Sequence, residues 1–206
     1  QMKQFPQTGD VPLVCDMSSD ILSRRININD FGLIFAGAQK NIGPSGITLV
    51  IIRNDLVENC PEDAPSMLQY RQHVAAKSLF NTPPTFGIYM AGLMFEWIEE
   101  QGGLPVIEHQ NELKAKILYD AINNNPMFYC PIKPEHRSNM NVVYRIQGNQ
   151  SELEETFVKE AKEAGLIGLK GHRSVGGLRA SIYNAQQLEN ITALVEFMDT
   201  FSKKHN

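Results

Sequence analysis

Residues 31–53 read FGLIFAGAQKNIGPSGITLVIIR. Two apolar runs, 31–36 and 46–53, enclose a polar segment. Apolar runs without polar alternation belong to strands buried on both faces, as in an α/β sheet. Gly43, Pro44 and Gly46 punctuate the link between them, so a strand, a tight turn and a second strand are expected. Upstream, residues 11–15 (VPLVC) form a further short apolar run that ends in Asp16, and an interior strand is expected there. Downstream, residues 54–80 are polar and irregular. Asn81-Thr82-Pro83-Pro84 then precedes an apolar stretch from Phe86 to Ile98. Thr82 reads as the N-cap of a helix and Pro83 as its first helical residue. A helix apolar nearly all round is expected to be buried, and Gly102-Gly103 to end it.

The pattern changes near residue 104. Residues 106–124 place Val106, Leu113, Ile117, Ala121 and Ile122 at helical spacing among charges. Residues 141–146 (NVVYRI) and 177–183 (GLRASIY) read as strands. Ser151 with Glu154 reads as a capping box ahead of Leu153, Phe157, Val158 and Ala161, and Gly165 stops that helix. Leu188, Ile191, Leu194, Val195, Met198 and Phe201 mark a last amphipathic helix. This half reads as a small α+β unit packed on one sheet face. The expected division is residues 1–103 and 104–206.

Composition narrows the function classes. Hydrophobic residues make up 42% and charged residues 20% of 206 positions, which excludes disorder and coiled coil as whole-chain descriptions. Nineteen basic against 23 acidic residues give a net charge of -4. With no run of five basic residues, neither a nucleic-acid partner nor a membrane surface is expected. Cys15, Cys60 and Cys130 form no C-x-x-C pair, so neither a disulfide framework nor a metal site is expected. With no signal-like stretch and no run of 18 apolar residues, a cytoplasmic protein is expected.

Four constellations could carry chemistry. Asp16 follows a buried strand, where open α/β sheets place ligand-facing polar groups; it could equally cap a turn with Ser18 and Ser19. Lys40, in AQKNIGP, sits at a strand end, where burial would favour its neutral, nucleophilic form; an ordinary exposed loop lysine is the other reading. Asn81-Thr82 heads a helix, whose free N–H groups suit a phosphate or merely a cap. In GHRSVGGLR, His172, Arg173 and Arg179 lie among glycines, and arginine forks suit carboxylate and phosphate; a solvated β-turn is the plain alternative. An acid, a lysine, a phosphate-prone helix end and an arginine cluster meet the needs of pyridoxal phosphate acting on a small dianion.

VCDMSSDILSR, FAGAQKNIGPSG, LFNTPPTFGIY and GHRSVGGLRASIYNA closely resemble the phosphoserine aminotransferases, class V members of the fold-type I pyridoxal-phosphate transferases. The resemblance runs over essentially the whole chain. It implies the C-terminal part of a large α/β cofactor domain (1–103) followed by a small α+β domain (104–206). It implies that Lys40 forms the Schiff base with pyridoxal 5'-phosphate and shuttles the proton, and that Asp16 holds the pyridine nitrogen protonated. Gln39 would contact the cofactor phosphate, and Asn81 and Thr82 would reach that phosphate from the neighbouring subunit of a homodimer. His172 and Arg173 would bind the substrate phosphate, and Arg179 the α-carboxylate. The implied reaction is ping-pong transamination in L-serine biosynthesis, from L-glutamate to 3-phosphohydroxypyruvate, giving O-phospho-L-serine and 2-oxoglutarate. Bacterial members often also serve pyridoxine biosynthesis.

Members of that family are longer, and the resemblance places the start of this chain near the Asp16-bearing strand. A glycine-rich phosphate loop, the aromatic residue stacked on the pyridine ring and an N-terminal histidine–arginine pair are therefore expected to be missing. The sheet edges exposed by that loss should seek a partner. Three readings stay open: the lysine-bearing fragment of the enzyme, a non-catalytic dimerising or binding module, and another class V aminotransferase acting on an unphosphorylated acid.

Overall fold

The computed structural model describes residues 1–205. It divides into two units, one of residues Gln4–Leu104 and one of Gln1–Lys3 with the residues from Pro105 on. In the first unit β1 (Val14–Asp16), β2 (Leu33–Gly37) and β3 (Thr48–Ile52) form a sheet in that order. β1 and β2 run parallel, with Asp16 opposite Phe35, while β2 and β3 run antiparallel, with Gly37 opposite Thr48. Residues 38–47 are too short for a crossover, so β3 must return beside β2. Residues 17–32 are long enough for β1 and β2 to share a direction. Leu33, Ile34 and Ala36 are buried, as the apolar run predicts. β3 is only half-buried and opens with exposed Thr48, so the expectation of burial on both faces fails for it. Among the described residues no strand pairs with its far side, nor with the far side of β1, whose Val14 is exposed, so the interior strand expected there is also an edge in this chain.

The stretch read as irregular contains two short helices, α1 (Asn54–Val57) and α2 (Tyr70–Ala75). Helix α3 spans Thr85–Glu100. Its start corrects the sequence reading: Pro84 is the cap residue, with no side-chain cap bond, and Thr82 lies outside the helix. Thr82 and Pro83 each precede a proline, which pushes both out of helical backbone. Its burial corrects the reading again. Gly87, Ala91 and Ile98 are buried, but Phe86 is 72% and Tyr89 61% exposed. Gly102 and Gly103 adopt positive φ just past the helix and end it as expected.

The second unit holds α4 (Leu104–Asn124) from its second residue on, β4 (Phe128–Tyr129), β5 (Asn141–Ile146), α5 (Ser151–Glu163), β6 (Leu178–Ser181) and α6 (Leu188–His205). Its antiparallel sheet has the order β4-β5-β6. Val142, Tyr144 and Ile146 alternate into the core, so one sheet face is covered, as predicted. Phe157 of α5 is fully buried at the centre of an aromatic cluster with Phe128, Tyr144, Phe197 and Phe201.

Two local readings change here. The buried face of α4 is Ile107, Asn111, Lys114, Ala115, Leu118, Tyr119 and Ile122, while Val106 and Leu113 are exposed. Polar Asn111 and Lys114 find backbone and amide partners inside, which rotates the buried face away from the apolar stripe. The capping box is not formed either. Glu154 is buried and accepts from Arg145 Nε (3.1 Å), Arg145 Nη2 (3.2 Å) and the Ile146 backbone N–H (3.3 Å). A carboxylate that can take a bidentate arginine and a strand N–H gains more than one bonding a helix end.

Candidate functional site

In the first unit, Asp16 ends β1 and is exposed. Its Oδ1 accepts from the Ser18 hydroxyl (2.6 Å) and the Ser18 backbone N–H (2.8 Å). Those two bonds hold its carboxyl below the usual carboxylate range, and the positive charge of Lys40 adds to the effect. The Ser18 hydroxyl also accepts from the Gly37 backbone N–H at 3.0 Å, which ties the end of β1 to the end of β2. The turn-capping and ligand-facing readings of Asp16 are thus compatible, because Oδ2 takes no part in the turn.

Lys40 follows β2 in the turn that begins at Ala38. That turn is set by the Ile42 and Gly43 N–H groups bonding the Ala38 carbonyl, and by buried Asn41 donating to the Ile21 carbonyl at 3.0 Å. Asn41 and Ile42 take the buried positions, so Lys40 is exposed. Of the two readings open for Lys40, the exposed loop lysine is the one that describes it in this chain, and the buried one fails. Gln39 folds its side chain back over Gly37, where a Cβ would lie 2.5 Å from its Oε1. The lack of a side chain at Gly37 is what lets the Gln39 amide lie there. Asn81 and Thr82 are exposed ahead of α3, with the Asn81 amide donating to the Thr82 carbonyl at 3.1 Å. Among the described residues no hydrogen bond joins them to Asp16, Gln39 or Lys40.

In the second unit, His172 and Arg173 occupy an exposed turn, and Arg179 is half-buried on β6 opposite Val143. The Val175 and Gly176 N–H groups bond the His172 carbonyl, and the Gly171 N–H bonds the Gly177 carbonyl at 2.8 Å. His172 Nδ1 accepts from the Ser174 backbone N–H (3.3 Å) and lies 2.7 Å from the Ser174 hydroxyl. With Nδ1 engaged by Ser174, Nε2 is the ring nitrogen left to face a ligand. Among the described residues no carboxylate pairs with Arg173 or Arg179, and Arg179 Nε is buried without a hydrogen-bond partner. A buried guanidinium N–H left unpaired is costly and calls for an acceptor. Each of these donors suits an anion.

Gly171 fixes this loop. A Cβ there would lie 2.1 Å from the Gly176 carbonyl oxygen and 2.6 Å from that of Gly177. Gly171→Ala is expected to open the turn, shifting the backbone amide resonances of residues 172–177 while leaving the far-ultraviolet spectrum unchanged; an unshifted loop would refute the close approach.

The Asp16–Ser18 turn is one the sequence offers, but the bond from Gly37 to Ser18 is not legible there, nor is the Ser174 contact with His172, although Ser174 stands two residues after its partner, the spacing of a side-chain-capped turn. Lys114 gave no signal at all, since it sits among charges on a helix. Among the described residues no helix is long and apolar enough to cross a membrane.

The class-V aminotransferase family model matches residues 1–194. The phosphoserine aminotransferase of Lysinibacillus sphaericus is 56% identical over all 206 residues, which make up 56% of that protein. The solved phosphoserine aminotransferase of Bacillus circulans subsp. alkalophilus superposes with a TM-score of 0.97 at 52% identity, over 100% of this chain and 57% of that one. The pyridoxal-phosphate-bound phosphoserine aminotransferase of Trichomonas vaginalis gives 0.91 at 44% identity, over 97% and 56%. The chain thus spans somewhat over half the length of the relatives it matches.

Proposed function

The chain belongs to the class-V aminotransferase family, and on that premise we propose that it is the lysine-bearing part of a phosphoserine aminotransferase. In this reading it moves the amino group of L-glutamate to 3-phosphohydroxypyruvate, for serine biosynthesis in the cytoplasm. Residues 1–103 are then the C-terminal part of the large cofactor domain and residues 104–206 the small domain. The observation that carries the reading is Arg179, whose buried Nε has no partner among the described residues and which stands on β6 just after the glycine turn that bears His172 and Arg173. A substrate carboxylate meets the Arg179 fork, and a substrate phosphate meets His172 Nε2 and Arg173.

The residues of the first unit fit pyridoxal phosphate. Lys40 presents an exposed primary amine, and Asp16 an ionised carboxylate with Oδ2 uncommitted. When bound, the cofactor supplies an electron sink for the amino acid Cα. Lys40 attaches the cofactor and carries the proton at Cα. Asp16 holds the proton on the ring nitrogen, and Gln39 donates its amide to the phosphate. Asn81 and Thr82 serve the site of a second copy in a homodimer.

The test pairs glutamate and O-phosphoserine as amino donors to the cofactor-loaded chain. Each should shift the absorbance of the bound cofactor, whereas unphosphorylated serine should not. Arg173→Ala is expected to weaken O-phosphoserine by about 1.5–3 kcal/mol, a loss of one charge-assisted contact, and to weaken glutamate less, because its distal carboxylate carries less charge than a phosphate. Equal weakening of both donors would remove the phosphate assignment. No response to either donor would favour the non-catalytic module.

A further inference from the structure

Lys114 carries its charge into the interior of the second unit, where it is 3% exposed. Its Nζ donates to the backbone carbonyls of Tyr183 (2.9 Å), Gln186 (3.0 Å), Asn184 (3.3 Å) and Ile182 (3.4 Å). Among the described residues no carboxylate pairs with it. A buried charge without a counter-ion is ordinarily unfavourable. Here four carbonyls from one short span converge on it, which is the way protein oxygens replace the hydration shell of a potassium ion. An ammonium has three N–H groups for these four acceptors, so at least one N–H is shared between two carbonyls, and the oxygens surround the charge rather than pairing with it one to one. Desolvation lowers the Lys114 pKa to about 8.

The placement gives the cage a purpose. β6, which carries Arg179, ends at Ser181, and the first cage carbonyl belongs to the next residue. Asn111, on the same face of α4, donates to the Asn184 side chain at 2.8 Å. Helix α4 thereby grips the chain as it leaves the strand.

We propose that Lys114 is a tethered monovalent cation whose ammonium fills a carbonyl cage formed by residues 182–186, and that the cage accepts a free potassium or ammonium ion once this side chain is shortened. This goes beyond the aminotransferase reading and does not depend on it. The test compares thermal unfolding of the parent chain, Lys114→Ala and Lys114→Met in potassium, ammonium and choline chlorides at equal ionic strength. Lys114→Ala should melt below the parent in choline chloride and regain on the order of 5 °C in potassium or ammonium chloride. Lys114→Met fills the space with an apolar chain and should show no cation-specific gain, like the parent. The proposal is overturned if Lys114→Ala melts alike in all three salts, if it fails to fold in all three, or if Lys114→Met gains as much.

Discussion

Lys40→Ala is expected to abolish covalent attachment of pyridoxal phosphate. A carbonyl cofactor is held through a primary amine, and the alanine side chain has none. The loss should be specific. Lys40 lies close enough to Asp16 for its charge to lower the pKa of that carboxyl, so the amine and the partner for a ring nitrogen belong to one small region. Asn41 and Ile42 are buried beside it, which fixes where the amine starts. The measurement is borohydride reduction with stoichiometric cofactor, followed by intact mass and peptide mapping. The parent should carry one pyridoxyl group on the peptide containing Lys40, and Lys40→Ala should carry none. Lys40→Arg, which keeps the charge but forms no such link, should match the alanine variant. An adduct of equal stoichiometry in Lys40→Ala would sink the assignment.

Phe157→Ala is expected to cost about 3–5 kcal/mol of stability, as truncation of a buried phenylalanine commonly does. The side chain is fully buried, and four aromatic rings surround it with centroids between 5.0 and 6.1 Å away. Each faces it edge-on, the geometry that adds to simple area burial. Such a loss is a large part of the roughly 5–15 kcal/mol available to a domain. Urea unfolding followed by circular dichroism should show the midpoint falling with little change in slope. A loss below about 1 kcal/mol would mean that the cluster does not carry the core.

Much of the fold could be read along the chain because strands and helices declare themselves by period. The strand at 141–146 and the helices beginning at Ser151 and Leu188 follow their apolar patterns. Errors arose where one residue had two possible partners. Glu154 could cap its own helix, yet Arg145 and the Ile146 N–H, brought near only by folding, hold it better. Thr82 resembles a cap, but the two prolines after it govern the backbone. The apolar α3 stretch promised burial, but hydrophobicity states only that a face prefers cover and not that this chain supplies it.

The chemistry divides in the same way. By itself the sequence determined which residue types stand at strand ends and glycine turns, because these depend on local spacing: Asp16, Lys40, and the group His172, Arg173 and Arg179. Only the tertiary structure decided their state. It left Lys40 exposed, tied Asp16 through Ser18 to Gly37, and buried Arg179 Nε without a partner. It also turned Lys114, one charged residue among several on α4, into the centre of four carbonyls. Desolvation and hydrogen bonding depend on groups far apart in the chain, and no local pattern records them.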